Sequence, residues 1–213
     1  ASNGKTYYVS GLTSTATGKD VADSVTEITV TGTAKVEDAS GNDVTADFDV
    51  KVTKGHLTIS KAAVTLASAS LSKQYDGDAL TNANAKDEGV TGGEDVNDNG
   101  LLTETGWVEG EGATYNFTGS QTLVGNSANA FTYTLKEGTD PDNYTVSKTE
   151  GTLTIANRTA KYEVTIEANS YEGTYDGENH TASGFKNEAD GKVPVTASNG
   201  KTYYVSGLTS TAT

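Results

Sequence analysis

Residues 131–155 read FTYTLKEGTDPDNYTVSKTEGTLTI. Phe131, Tyr133 and Leu135 alternate with threonine, Tyr144 and Val146 flank Thr145, and Leu153 and Ile155 flank Thr154. A period of two puts successive side chains on opposite faces of a pleated strand, here an apolar set inward and a hydroxyl set toward water. Between the first two runs, residues 138–143 supply the Gly, Asp, Pro and Asn of a turn. The stretch predicts three short strands in a sheet that is wet on one side.

The same habit extends along the chain. Val64 with Leu66 and Tyr115 with Phe117 alternate in the same way, and Asp76-Gly77, Gly92-Gly93, Asn99-Gly100 and Gly119-Ser120 punctuate the runs. Further alternating pairs stand at Ile28 and Val30, Phe48 to Val52, Leu57 and Ile59, Val164 and Ile166, and Tyr203 and Val205. No ten-residue window carries a helical apolar stripe. With 35 threonines, 24 glycines and 2 prolines in 213 residues, the reading is an all-β chain of tandem β-sandwich-like modules without substantial helix.

Repeats set the organisation. Residues 1–17 and 197–213 are both ASNGKTYYVSGLTSTAT, a period of 196 residues. Inside it, Tyr75-Asp76-Gly77 returns 100 residues later as Tyr175-Asp176-Gly177, and GHLTI at 55–59 returns 96 residues later as GTLTI at 151–155. The two shorter offsets add up to the long one, so each period holds two diverged modules. Residues 61–157 form an intact module, 1–60 the C-terminal part of a cut module, and 158–213 the N-terminal part of the next copy of that cut module. The absence of methionine marks the stretch as an internal piece of a longer chain.

Three segments carry a resemblance: SKQYDGDALTN at 72–82, TGSQTLVGNSANAFTYTL at 118–135, and the endings DNYTVSKTEGTLTI at 142–155 and ADFDVKVTKGHLTI at 46–59. Together they resemble the YDG/MBG-type tandem repeats of bacterial, usually Gram-positive, cell-surface adhesin-like proteins. The cut module departs from that pattern with Phe48 at the closing-strand aromatic position and His180-Thr181 after its Tyr-Asp-Gly. The resemblance implies a stalk domain of a large secreted protein, with no enzymatic activity and no conserved ligand.

Composition narrows the chemistry. A formal net charge of −14 argues against nucleic acid and anionic membranes as partners, and no apolar run is long enough for a membrane-spanning helix. There is no cysteine, there are two histidines, and Arg158 is the single arginine, which excludes thiolate chemistry and leaves one donor for forked anion recognition. The acidic pairs Glu109/Glu111 and Asp140/Asp142 stand two residues apart, as solvated charges rather than an acid/base pair across a cleft. An enzyme is not expected.

Four binding candidates remain. Asp95, Asn97 and Asn99 followed by Gly100 match the first half of a calcium loop, but the twelfth position is Gly106 and Glu104 comes two residues early; a solvated acidic turn is the expected outcome. Tyr75 and Tyr175, each beside an aspartate, suit a glycan, although the Asp and Gly of each motif also suit a plain structural turn. Trp107 suits a sugar ring but is expected to pack in the core. Lys61 or Lys161 facing an asparagine in an apolar core would permit an isopeptide cross-link.

The expected function is a structural stalk or spacer repeat, extracellular at a bacterial cell surface or wall. Its partners would be neighbouring copies of itself, head to tail in a filament, with residues 1–17 and 197–213 competing for one place, or, in a longer continuous fibre, each sitting in its own module; a distal region would bind any host or matrix ligand. The alternative is a multivalent module that binds glycan or protein weakly.

Overall fold

The computed structural model describes residues 1–210. In chain order the strands are β1 (Tyr8–Ser14), β2 (Val30–Glu37), β3 (Ala62–Ala67), β4 (Leu71–Gln74) and β5 (Leu80–Thr81). Then come β6 (Thr103–Thr105), β7 (Ala113–Phe117), β8 (Ser120–Gln121), β9 (Gly125–Ala128) and β10 (Phe131–Leu135). The last four are β11 (Tyr144–Thr149), β12 (Thr152–Ala156), β13 (Lys192–Thr196) and β14 (Thr202–Ser206). The helices among the described residues are single 3-10 turns of three residues. The chain is all-β, built of small sheets of two or three strands.

By contact the chain divides into two compact units: residues 1–66, 103–114 and 133–148 form one, and the remainder forms the other. Repeat boundaries mark sequence similarity and these boundaries mark contact, so the two divisions differ.

In the first unit β1 runs antiparallel to β2, and the register slips between Ser10 and Leu12. Glycines permit the slip: Gly11 and Gly32 have φ of +79° and +104°, and a Cβ on either would run into the backbone of the facing strand. β3 lies between β11 and β6. Val64 and Tyr144 are buried, as their alternation predicts. The turn expected at 138–143 forms around a 3-10 turn at Pro141–Asn143, where Asp140 Oδ1 accepts from the Asp142 N–H at 2.9 Å.

The second unit centres on β12, which pairs in parallel with β4 and antiparallel with β9. Leu153 and Ile155 point inward and join Ala69, Leu71, Leu80, Ala85 and Val96 in one core cluster, while Thr152 on the other face is exposed. β5 pairs with β8, and β13 forms a hairpin with β14.

Three expected strands do not form. Phe48 to Val52, Leu57 to Ile59 and Val164 to Ile166 carry no strand, and Leu57 makes only an isolated bridge with Val25. In sequence these are the cut-module counterparts of β11, β12 and β3. The counterpart of β4, which pairs with β12, is residues 171–174, more than a hundred residues from 57–60 and in the other unit. A strand without its ladder neighbour leaves its backbone groups unpaired, so apolar alternation alone does not hold it extended.

Candidate functional site

The Tyr-Asp-Gly motif follows β4. The parallel ladder continues one step past the strand, with the Tyr75 N–H donating to Ala156 O at 2.9 Å. The chain then turns: Asp76 Oδ1 accepts from the Asp78 N–H at 2.9 Å, and Gly77 takes φ +84°. Lys73, its side chain 9% exposed, reaches both oxygens of Asp76 at 2.9 and 3.0 Å. Burial works to raise the Asp76 pKa, but the Asp78 amide and the Lys73 ammonium outweigh it and hold the carboxyl below its ordinary value. The second motif makes the same turn, with the Glu178 N–H on Asp176 Oδ1 at 2.9 Å and Gly177 at φ +87°. The two motifs share this geometry because it is local: an aspartate accepts from the amide two residues on, and a glycine adopts the left-handed region.

Their surroundings differ. The turn at Tyr75–Asp78 receives the hairpin between β13 and β14. Asn199 Nδ2 donates to Asp76 O at 2.7 Å and to the Tyr203 hydroxyl at 2.9 Å, and Lys201 Nζ meets Asp78 Oδ1 at 2.7 Å. The Tyr203 phenol beside Tyr75 first, and burial second, raise the Tyr75 pKa, and Asp78 raises that of Lys201. Arg158 closes the far side, with Nη1 donating to Tyr75 O at 3.2 Å and its guanidinium 4.1 Å from the centre of the Tyr162 ring. Tyr162 in turn stacks on Tyr203, with centroids 6.5 Å apart. A hollow of about 550 Å³ opens beside Tyr75, lined also by Val124, Lys161 and Tyr162. By contrast Tyr175 is 94% exposed. Near it His180 Nε2 lies 2.9 Å from Asp176 Oδ1, and its ring stacks on Tyr171 at 4.5 Å.

The turn that docks at Tyr75 opens the repeated sequence, and its first copy closes in the same way. Ala197 N donates to Lys201 O, as Ala1 N does to Lys5 O, each at 3.0 Å. Lys201 N donates to Asn199 Oδ1 as Lys5 N does to Asn3 Oδ1, and Asn199 Nδ2 donates to the Tyr203 hydroxyl as Asn3 Nδ2 does to that of Tyr7. The aromatic neighbours differ, since Tyr7 packs edge-on against Phe48 at 4.7 Å.

The other sequence candidates are dispersed. Asn97 Oδ1 accepts from the Asn99 and Leu101 amides, each at 3.0 Å, which turns the loop on its own backbone above the buried Val96 and Leu101. Glu104 lies in β6, and among the described residues no group of three His, Cys, Asp or Glu side chains is placed to hold a metal ion. Trp107 is half-buried, at the margin of the packing rather than in the core, edge-on to Tyr144 at 4.9 Å. The Tyr144 hydroxyl donates to Glu111 at 2.7 Å; burial first and Glu111 second raise its pKa. Lys61 and Lys161 are both exposed, with Lys61 Nζ 4.0 Å from Asp142, so neither stands in the apolar core that an isopeptide bond needs.

Sequence reasoning missed a buried polar knot in the second unit. Asn129, fully buried, donates through Nδ2 to Ala69 O at 2.9 Å and to Asn82 Oδ1 at 2.8 Å. The Asn129 backbone carbonyl accepts from Ser68 Oγ at 2.6 Å, and Ser68 Oγ accepts from the Gly151 N–H at 2.9 Å. Asn82 completes the chain by donating to Gly100 O at 2.9 Å.

The two Tyr-Asp-Gly turns provide a matched test. Gly77→Ala and Gly177→Ala should each lose about 1 kcal/mol by forcing a left-handed alanine. Only the first also crowds the docked hairpin, because its Cβ would lie 2.5 Å from Lys201 Cδ and 2.9 Å from the Tyr203 hydroxyl, whereas nothing stands within 4 Å at Gly177. Faster amide exchange at residues 199–203 in Gly77→Ala alone is the expected result, and equal exchange in the two variants would contradict the docking. Comparison of the chain with protein-family models, curated proteins and solved structures finds no match.

Proposed function

We propose that the chain is one period of an extracellular structural spacer, a tandem stalk repeat of a bacterial surface protein whose modules complete one another head to tail. The observation that carries this reading is the duplicate turn: residues 1–7 and 197–203 close with the same internal hydrogen bonds. A sequence reused unchanged, and docked in its second copy on a module-edge turn, suits a coupling element between modules better than a ligand site. The strandless segments of the cut module, residues 48–52, 57–59 and 164–166, support the same reading, since a following copy would supply their ladder neighbours. The net charge of −14 keeps such copies soluble and mutually repelling.

A second reading rests on Tyr175. Its side chain, 94% exposed beside Asp176 and the Tyr171–His180 stack, offers an aromatic face of the kind that sugars use. A glycan array probed with the intact chain separates the two. Under the spacer reading no glycan gives saturable binding. Saturable binding that is lost in Tyr175→Ala, Tyr75→Ala or Trp107→Ala would replace that reading with the adhesive one.

A further inference from the structure

The two copies of the repeated strand bond through opposite edges. In the second copy Ala197 N donates to Lys201 O, and the register pairs Val195 with Tyr203 and Val193 with Val205. Hydrogen-bonded pairs in an antiparallel ladder fall at every second residue, so counting from 197/201 the bonded pairs are 195/203 and 193/205. Tyr203 and Val205 therefore aim their backbone groups at β13, and Thr202, Tyr204 and Ser206 aim theirs the other way.

In the first copy the polarity is reversed. Val36 stands opposite Val9, yet its N–H goes to Thr45 Oγ1 at 2.8 Å and its carbonyl accepts from the Val44 N–H at 2.9 Å. Val36 thus faces away from β1, and the bonded pairs between β1 and β2 are Tyr8/Glu37 and Ser10/Lys35. Tyr8 and Ser10 are the repeats of Tyr204 and Ser206, and Val9 is the repeat of Val205. Among the described residues β1 has β2 as its one strand neighbour and β14 has β13. Each copy leaves open the edge that the other copy uses.

The geometry points to one central strand seen in two halves, and we infer that the chain associates with a second copy of itself by strand exchange. β1 of one chain takes the place of β14 on β13 of the next, and the sheet becomes β13–β1–β2 across two chains. The inference rests on the repeat reading above and names its joint. The incoming segment has the sequence of the outgoing one, so every contact to β13, and every contact of the Asn-Gly-Lys turn to Tyr75–Asp78, is reproduced by Asn3, Lys5 and Tyr7. Val9, 54% exposed in β1, gains the cover that half-buries Val205 in β14. β1 becomes a central strand with both edges paired, and the released β14 regains its chain freedom. Association is opposed by the lost freedom of the second chain, so exchange rises with concentration. It is heterologous and grows into a filament.

Absence of native cysteine allows a direct test on the full chain. Pro194 faces Tyr204 as a non-bonded pair, the position in which cross-strand side chains stand closest. After exchange Tyr8 takes the place of Tyr204. The double variant Tyr8→Cys/Pro194→Cys, oxidised at rising concentration, should give a ladder of covalent oligomers whose junction peptides join positions 8 and 194. The control Pro194→Cys/Tyr204→Cys should close within single chains. Joining of 8 to 194 within one chain, joining of 8 to 8 alone, or monomers throughout would overturn the inference. A second variant needs no disulfide. Val205→Pro removes an N–H that bonds β13 and weakens β14 as a competitor while leaving β1 intact. Light scattering should then show oligomers at a concentration at least tenfold below that of the unaltered chain, and a Val205→Pro monomer at every concentration would sink the idea. The glycan array decides the spacer reading on the unaltered chain, so the two can fail separately.

Discussion

Asn129→Ala is expected to destabilise the second unit by about 3 kcal/mol, among the largest losses any single polar truncation here would cause. The side chain is fully buried, and its amide nitrogen holds two acceptors, Ala69 O and Asn82 Oδ1. Truncation leaves both without that donor in a place water does not reach, at a cost of about 1–3 kcal/mol each. The companion variant Asn129→Leu fills the volume and still supplies no donor, so it should lose nearly as much, which separates the hydrogen bonds from the cavity. Denaturant unfolding monitored by near-ultraviolet circular dichroism measures both. A loss under about 0.5 kcal/mol in both variants would show that the amide is dispensable, and recovery in Asn129→Leu alone would assign the cost to packing.

Leu153→Ala should cost a similar amount, about 3 kcal/mol, through a different mechanism. Leu153 is fully buried on the inward face of β12, the strand that joins β4 and β9, and it packs in the cluster with Leu71, Leu80 and Val96. Deleting its branch removes apolar burial and leaves a cavity that three surrounding strands fill only in part. The neighbouring Thr152→Ala, on the exposed face, should change stability by no more than about 0.5 kcal/mol. Amide exchange in β4 and β9 should accelerate with Leu153→Ala and stay unchanged with Thr152→Ala; equal effects from the two would mean that β12 has no inward face.

These residues also mark how far the sequence could be read. The inward setting of Leu153 and Ile155, the turn at 138–143 and the Asx turn of each Tyr-Asp-Gly motif were legible, because each depends on residues within a few positions of one another. Phe48 to Val52 and Val164 to Ile166 carry the same alternation and form no strand, since a strand also needs a neighbour, and periodicity does not say whether the neighbour is within reach. The environment of Asn129 was not legible. Its partners Ala69 and Asn82 lie 60 and 47 residues away, and an asparagine between two alanines reads locally as a turn. Docking of Asn199 on Asp76 spans 123 residues and joins two loops whose composition is that of any polar turn. Trp107 was expected deeper than it lies; a lone tryptophan signals packing without giving its depth.

The duplicate turn has a consequence for how this stretch of sequence can change over generations. Tyr7 must satisfy Phe48, while its twin Tyr203 must satisfy Tyr75 and Tyr162. As long as the two copies stay identical, every substitution is tried in both neighbourhoods at once and survives only if both accept it. Selection therefore acts on the intersection of two tolerances, which is narrower than either alone, whereas Tyr75 and Tyr175, in modules already diverged, are each free to drift under a single set of demands.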